Sequence, residues 1–318
     1  MLTTIDVTDV TPKDSNVKDY KVVRFTNGSG NSGTAHFLEQ IKYDEKTGTY
    51  EALDVTSRFA NSRNKLEKPL IAVHGFNTNP HDHLEKCEQA RKYSTKFRLI
   101  PFIWPTTDEN FSLLSYINDK GLSENAGINL GNALEKLSNG GDPFGNKSLV
   151  AHSMGNRVLR YAASEKLGKF DNIFMAAADV DYPLFAKQYI DGKSWEKNET
   201  KMKHGLNIAN MLRTDQQNRP VGKIYTLYTE SDLALWASQF ANVIYNQFCK
   251  KPRLGAKGVE YEGSKWDLHP YLQGKVESKK KDWRRPLPWE DFIGFFDNHG
   301  YQLDKEAIAF YESKFVSD

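Results

Sequence analysis

Ser148-Leu149-Val150-Ala151-His152-Ser153-Met154-Gly155-Asn156-Arg157-Val158-Leu159 is the stretch on which the reading of this chain turns. Its apolar opening has the length of a strand, and from Arg157 an apolar helical spacing begins. Between the two the chain must turn sharply. That strand–turn–helix context is what a nucleophile elbow requires, where a strained turn lifts a serine hydroxyl above the edge of a sheet. The backbone folds on itself there, so small residues are needed two before and two after the serine. Gly155 meets the second need. Ala151 stands where glycine is usual at the first and adds one methyl. The alternative is that Ser153 only caps the helix; the apolar strand ahead of it favours the nucleophile.

Upstream, Ile71-Ala-Val-His-Gly-Phe-Asn77 ends another apolar strand in His-Gly. A loop at this place completes an oxyanion hole, which needs two backbone N–H groups aimed at the developing charge. Met154, the residue after the serine, and Phe76 are the candidate donors. Gly75 lets the backbone come close. The ring of His74 is expected to pack and bond backbone, with His74 and Gly75 both within reach of a bound substrate.

Strands are read at 70–73, 98–104, 148–151, 172–178 and 223–229, with helices at 82–93, 126–137, 157–166 and 207–212. Strands separated by helices imply a mostly parallel central sheet with helices on both faces, an α/β class. A further helix is expected from Asp232 to about 248 and a last strand over 258–266. The opening is different: a strand at 20–26 and a hairpin at 36–55 give a β-rich N-terminal extension. Residues 274–291 hold Lys279, Lys280, Lys281, Arg284 and Arg285 beside Trp283 and Trp289, and read as an inserted loop. The division is a single domain over 1–318: extension 1–68, core 69–269, inserted loop or lid 270–296, C-terminal helix 297–318.

An activated serine needs a base, and the base an orienting acid. In this arrangement the acid follows the serine and the histidine comes last. Asp232 lies just beyond the strand at 223–229, where the acid belongs; Asp179 and Asp181, ending the strand before it, are its rivals. All three can also be read as helix caps. His269 and His299 both follow the last strand and both are admissible as the base.

With 43 basic and 41 acidic residues the net charge is +2, which gives no general reason for nucleic acid or an anionic membrane as partner. Apolar residues at 39% allow a sizeable core, while a mean hydropathy of −0.65 points to polar segments grafted onto it. Two cysteines, Cys87 and Cys249, make no disulfide framework, and no metal-ligand spacing is visible, so no cofactor is expected. The N-terminal stretch lacks the pattern of a secretory signal and no apolar run is long enough to span a bilayer. The expectation is a cytoplasmic protein.

Val73-His-Gly-Phe-Asn77, Trp104-Pro105, Ala151-His-Ser-Met-Gly-Asn-Arg-Val-Leu159 and Ala178-Asp-Val-Asp181, followed by Ser231-Asp232-x-Ala-Leu235, Arg253-Leu-Gly255 and His299-x-Tyr301, together resemble the α/β-hydrolase family of unknown function named DUF900. The resemblance covers about residues 69–312. It implies an α/β-hydrolase fold and a Ser153–Asp232–His299 triad, and so selects His299 over His269. Gly300 stands where members of the family more often have serine, which leaves the ring untouched and bears on the loop around it. The family carries no assigned substrate.

The activity expected is cleavage of carboxylic esters, esterase- or lipase-like, through an acyl-enzyme on Ser153. An acyltransferase using the same acyl-enzyme and a non-catalytic hydrolase-like binding module are the alternatives. The substrate is expected to be a small-molecule or lipid ester, with Phe76, Trp104, Tyr182, Phe185 and Trp236 as walls of an acyl pocket and Trp283, Trp289, Phe292, Phe295 and Phe296 on a lid. Core packing is the competing role for each of these aromatics.

Overall fold

The computed structural model describes residues 1–10, 21–26, 28, 30–57, 68–107, 112–139, 147–163, 170–187, 204–217, 221–230, 232, 234–235, 237–239, 253–259, 275–280 and 299–315. Among these, eleven strands form one sheet. They are β1 (Leu2–Ile5), β2 (Thr8–Asp9), β3 (Lys21–Thr26), β4 (Asn31–Asp44), β5 (Thr49–Asp54), β6 (Pro69–Val73), β7 (Arg98–Ile103), β8 (Lys147–His152), β9 (Phe170–Ala176), β10 (Lys223–Tyr228) and β11 (Val276–Lys280), in the spatial order 11-10-9-8-6-7-1-4-5-3-2. From β11 to β1 every neighbouring pair is parallel; from β1 to β2 every pair is antiparallel. The sheet is thus mostly parallel, with an antiparallel wing.

The parallel strands need crossovers, and these are α1 (Pro80–Arg91), α2 (Leu113–Asn139), α3 (Gly155–Ala162) and α4 (His204–Asn210), joined by the one-turn α5 (Leu254–Lys257) and by α6 (Lys305–Glu312). β6 and β8 are buried at every residue, as strands covered on both faces must be. One core cluster joins the sheet to α2, α3 and α4 through Leu130, Val158, Leu159 and Ile208. The opposite one joins it to α1 and α6 through Cys87, Ala90, Ile308 and Tyr311. α1 starts cleanly because Asn79 accepts the Asp82 N–H and Pro80 occupies the first turn. α2 and α3 cross at contact distance, since a Cβ on Gly127 would stand 2.5 Å from Val158 O. No described helix is long and apolar enough to cross a membrane.

Three expectations change. Among the described residues the last strand is Val276–Lys280, inside the segment read as an inserted loop; of the strand read at 258–266 only 258 and 259 are described. Val276–Lys280 is polar because it lies at the sheet's edge, where Ser278 bonds Thr226 and Val259 N while the lysines stay exposed. Residues 260–274, including His269, and 281–298, including the aromatic residues expected on a lid, lie outside the described residues. Second, α2 begins at Leu113 rather than 126; Gly121 and its polar neighbours hid the first turns, which tertiary packing of Tyr116 supports. Third, Leu2–Ile5 is a strand that the sequence did not signal, and it joins the extension to the core.

Candidate functional site

The site is built at the carboxyl ends of β6, β8, β9 and β10. Ser153 follows β8 in the left-handed region, φ +51°, a conformation that costs a side-chain-bearing residue about 1–3 kcal/mol. Backbone bonds hold it there: Ser153 N–H donates to Ala176 O at 3.0 Å, and Asn156 N–H and Asp179 N–H donate to Ser153 O at 3.0 and 3.2 Å. The Asn156 amide nitrogen lies 2.9 Å from Ala151 O and 3.1 Å from Ser153 O, both of which accept from it, with Ala176 O at 3.3 Å. Gly155 must be glycine, since a Cβ there would stand 2.4 Å from His74 O. Ala151 is fully buried between Val73 of β6 and Met175 of β9, so the extra methyl is accommodated by core packing. The helix-cap reading of Ser153 fails, because Met154 holds the N-cap position and no side chain bonds the helix start.

The loop after β6 lies against this elbow. A Cβ on Gly75 would come within 2.9 Å of Ser153 Cβ and 3.0 Å of His152 Nδ1. His74 is buried, and its ring is used on both sides. Trp104 N–H donates to Nε2 at 3.1 Å, which leaves the proton on Nδ1 to donate to Gly75 O at 2.9 Å. The indole N–H of Trp104 closes the clamp on His74 O at 3.0 Å, and the two rings stack. Burial, then the neighbouring His83, pushes the His74 imidazole well below the usual range, so it stays neutral. Gly75 C=O and Phe76 N–H belong to one trans peptide and point opposite ways. Pinning the carbonyl to His74 therefore fixes the direction of the Phe76 N–H. The loop ends at Asn77, again left-handed at φ +49°.

His299 Nδ1 bonds Asp232 Oδ2 at 2.8 Å. Asp232 is buried after β10, and its other oxygen accepts Leu235 N–H at 2.9 Å. The His299 backbone is tied in turn: its carbonyl accepts from His152 Nε2 at 2.8 Å, and the two rings lie 4.7 Å apart. Two residues on, the Tyr301 hydroxyl donates to Leu227 O and accepts from Ala177 N–H, bridging the ends of β10 and β9. Burial, then the charge of Asp232, raises that phenol well above its usual range and keeps it a neutral donor. The imidazole is thereby held beside the residue preceding Ser153. No hydrogen bond joins Ser153 to His299 among the described residues.

Asp179 and Asp181, the rival acids, face the buried Arg253 instead, at 3.1 and 2.7 Å. Asp179 also accepts from Tyr116 Oη at 2.8 Å and from Ser238 Oγ. Burial acts to raise the Asp179 carboxyl, but Arg253 and these hydroxyls outweigh it and hold the group below the usual range. Trp104 and Phe185, expected in an acyl pocket, belong to the core cluster, where stacking and apolar burial leave them about 1% exposed. His74 likewise has no free ring nitrogen to offer a substrate. Phe76 is half-buried, edge-on to Tyr116. The Tyr182 side chain, Trp236 and His269 lie outside the described residues. Asn156, Tyr301 and Arg253 had no role in the sequence reading, although all three stand inside its motifs; their work is to bond backbone or buried carboxylates, which only the fold reveals.

The sequence profile of the alpha/beta hydrolase family of unknown function, DUF900, matches residues 52–259. No curated protein matches the chain. Among solved structures it is similar to a lipase-esterase related protein from Clostridium acetobutylicum, at 12% identity over 79% of this chain and 96% of that one, TM-score 0.37. It is similar also to a putative esterase from Staphylococcus aureus, at 10% identity over 99% and 84%, TM-score 0.35, and to esterase PE8, at 11% identity over 79% and 94%, TM-score 0.39. With the family's profile spanning β6 to β10, the elbow and the Arg253 segment, the chain belongs to the DUF900 family of α/β hydrolases.

Proposed function

We propose that Ser153 is the nucleophile of a serine hydrolase acting on carboxylic esters. What supports this reading is a strained serine, φ +51°, packed against a glycine with no room for a side chain, in a site that also holds a histidine bonded to a buried aspartate. With its Nδ1 proton held by Asp232, His299 offers Nε2 as the base. Apo hydrogen bonds of this kind commonly tighten only when substrate binds. Ser153 Oγ attacks the ester carbonyl as its proton passes to His299. Phe76 and Met154 N–H groups receive the oxyanion, Met154 with the orphan donors at the start of α3. The tetrahedral intermediate then expels the alcohol, which takes the proton back from His299. Water, deprotonated by the same imidazole, releases the acid and restores Ser153. Half-buried Phe76 presents apolar surface for the acyl group.

A fluorophosphonate probe tests the reading. The expected result is one covalent adduct on the Ser153 peptide, absent from S153A and slowed in H299A. A folded protein that takes no label would exclude an activated serine and leave the non-catalytic binding module in its place.

Gly75→Ala provides a second check. The new methyl would have to displace Ser153 or His152, and misplacement of about 1 Å in such a site costs on the order of 100-fold. A kcat at least 100-fold below wild type is expected, together with a lowered melting temperature, because Gly75 is buried against the elbow. Unchanged kcat would place the loop away from the chemistry.

A further inference from the structure

The first turns of α2 carry a carboxylate with no place in the scheme above. Asp119 is fully buried, and no ion pair to it is found among the described residues. One oxygen accepts Thr107 N–H at 2.7 Å and Thr107 Oγ1 at 2.9 Å. The backbone N–H of Asn77 lies near enough to favour the charged form of this carboxylate. Its second oxygen is buried without a hydrogen bond. Burial pushes the carboxyl up to about 6, against the hydrogen bonds from Thr107 and the nearby Asn77 N–H. A buried, largely ionised carboxylate is a costly way to hold two loops together, so its position calls for a reason.

Those two loops flank the site. Thr107 follows β7 and Trp104, and Asn77 is the left-handed residue that ends the His74–Asn77 loop. Thr106 Oγ1 adds a tie of its own to Thr78 O at 2.9 Å. One turn before Asp119 on the same face of α2, the ring of Tyr116 meets Phe76 edge-on, centroids 5.7 Å apart. α2 therefore grips Phe76 by an aromatic contact and Asn77 by a carboxylate, while His74 grips Gly75 from the other side.

We propose that Asp119 is a positioning residue that sets the oxyanion loop, acting through the Asn77 N–H and Thr107. The inference rests on the reading of Phe76 as an oxyanion donor. Such a residue governs turnover and not substrate affinity, because the loop's alignment matters most when charge develops.

The test compares wild type with D119A, D119N and T107V, by ester kinetics at pH 8, the second-order rate of fluorophosphonate labelling, and melting temperature. D119A removes the acceptor, and kcat and labelling rate are expected to fall about 30- to 100-fold with KM within twofold. D119N keeps a carbonyl oxygen for the same donors and should return both to within about fivefold of wild type. It should melt no lower, because it buries no charge. T107V, which loses only the hydroxyl, should lower kcat a few-fold at constant KM, and this result stands even if D119A does not fold. Wild-type kcat and labelling in D119A, or a raised KM with kcat intact in any of the three, would overturn the proposal. So would D119N as slow as D119A. An unlabelled wild type would remove the reading of Ser153 itself, and this inference with it.

Discussion

Ser153→Ala and His299→Ala are each expected to lower kcat by about a millionfold, with the double variant no slower than either one. Groups that act as one unit fail together: once the nucleophile is gone its base has nothing to deprotonate, and the residual rate comes from binding and the oxyanion donors alone. Asp232→Asn is expected to be milder, about 10⁴-fold. Its oxygen can still accept Leu235 N–H, so the turn survives. The amide nitrogen, however, would face His299 Nδ1 across 2.8 Å with a proton of its own. The imidazole must then carry its proton on Nε2, where it cannot act as base. Steady-state kinetics on the four variants decide the matter. Losses that multiply in the double variant, or an Asp232→Asn protein with near-normal turnover, would show that the three residues do not work together.

Gly255→Ala is the substitution expected to cost the most stability. The α-carbon of Gly255 presses on the end of β9, where a Cβ would lie 2.1 Å from Ala178 N and 2.2 Å from the Ala177 carbonyl carbon. Both are backbone atoms, so no side chain can swing aside. Gly255 N–H donates to Ala178 O and its carbonyl accepts Thr229 N–H, which locks the α5 turn to β9 and β10. Forcing these apart costs about 3 kcal/mol, a fall of roughly 5–10 °C in Tm. Because Ala177 to Asp179 also support Ser153 and Tyr301, activity should fall with it. Thermal unfolding of the purified variant checks the expectation, and a Tm within 2 °C of wild type would mean that the α5 turn yields freely.

The elbow was legible because its signal is local: Ser148 to Leu159 spells strand, turn and helix within one reach of chain, and Gly155 marks the tight approach. The His74–Asn77 loop and Asp232 were legible by position, each at the carboxyl end of an apolar strand. What stayed hidden depends on partners far away. Leu2–Ile5 has too few residues for a periodic signal, and its neighbours lie at 31–37 and 102–103. Val276–Lys280 reads as a polar loop because an edge strand has one pairing side and a solvated one. The assignment of Asp179 and Asp181 hung on Arg253, more than seventy residues on, and a sequence contains no measure of that distance. Trp104 was placed on a pocket wall for its apolar ring, whereas the indole N–H and stacking on His74 draw it inward.

Among the described residues, the short strand β1 is also the seam between the two halves of the sheet. On one side it pairs antiparallel with β4, beside an apolar cluster in which Ile5, Val23, Phe25, Leu38, Tyr50 and Ala52 meet Ile103 of β7. Its other edge pairs parallel with β7, whose Ile103 carbonyl takes the Thr3 hydroxyl at 2.8 Å. Loss of β1 would leave an unpaired strand edge on each half, so the antiparallel wing and the parallel sheet that carries the elbow depend on four residues for their union.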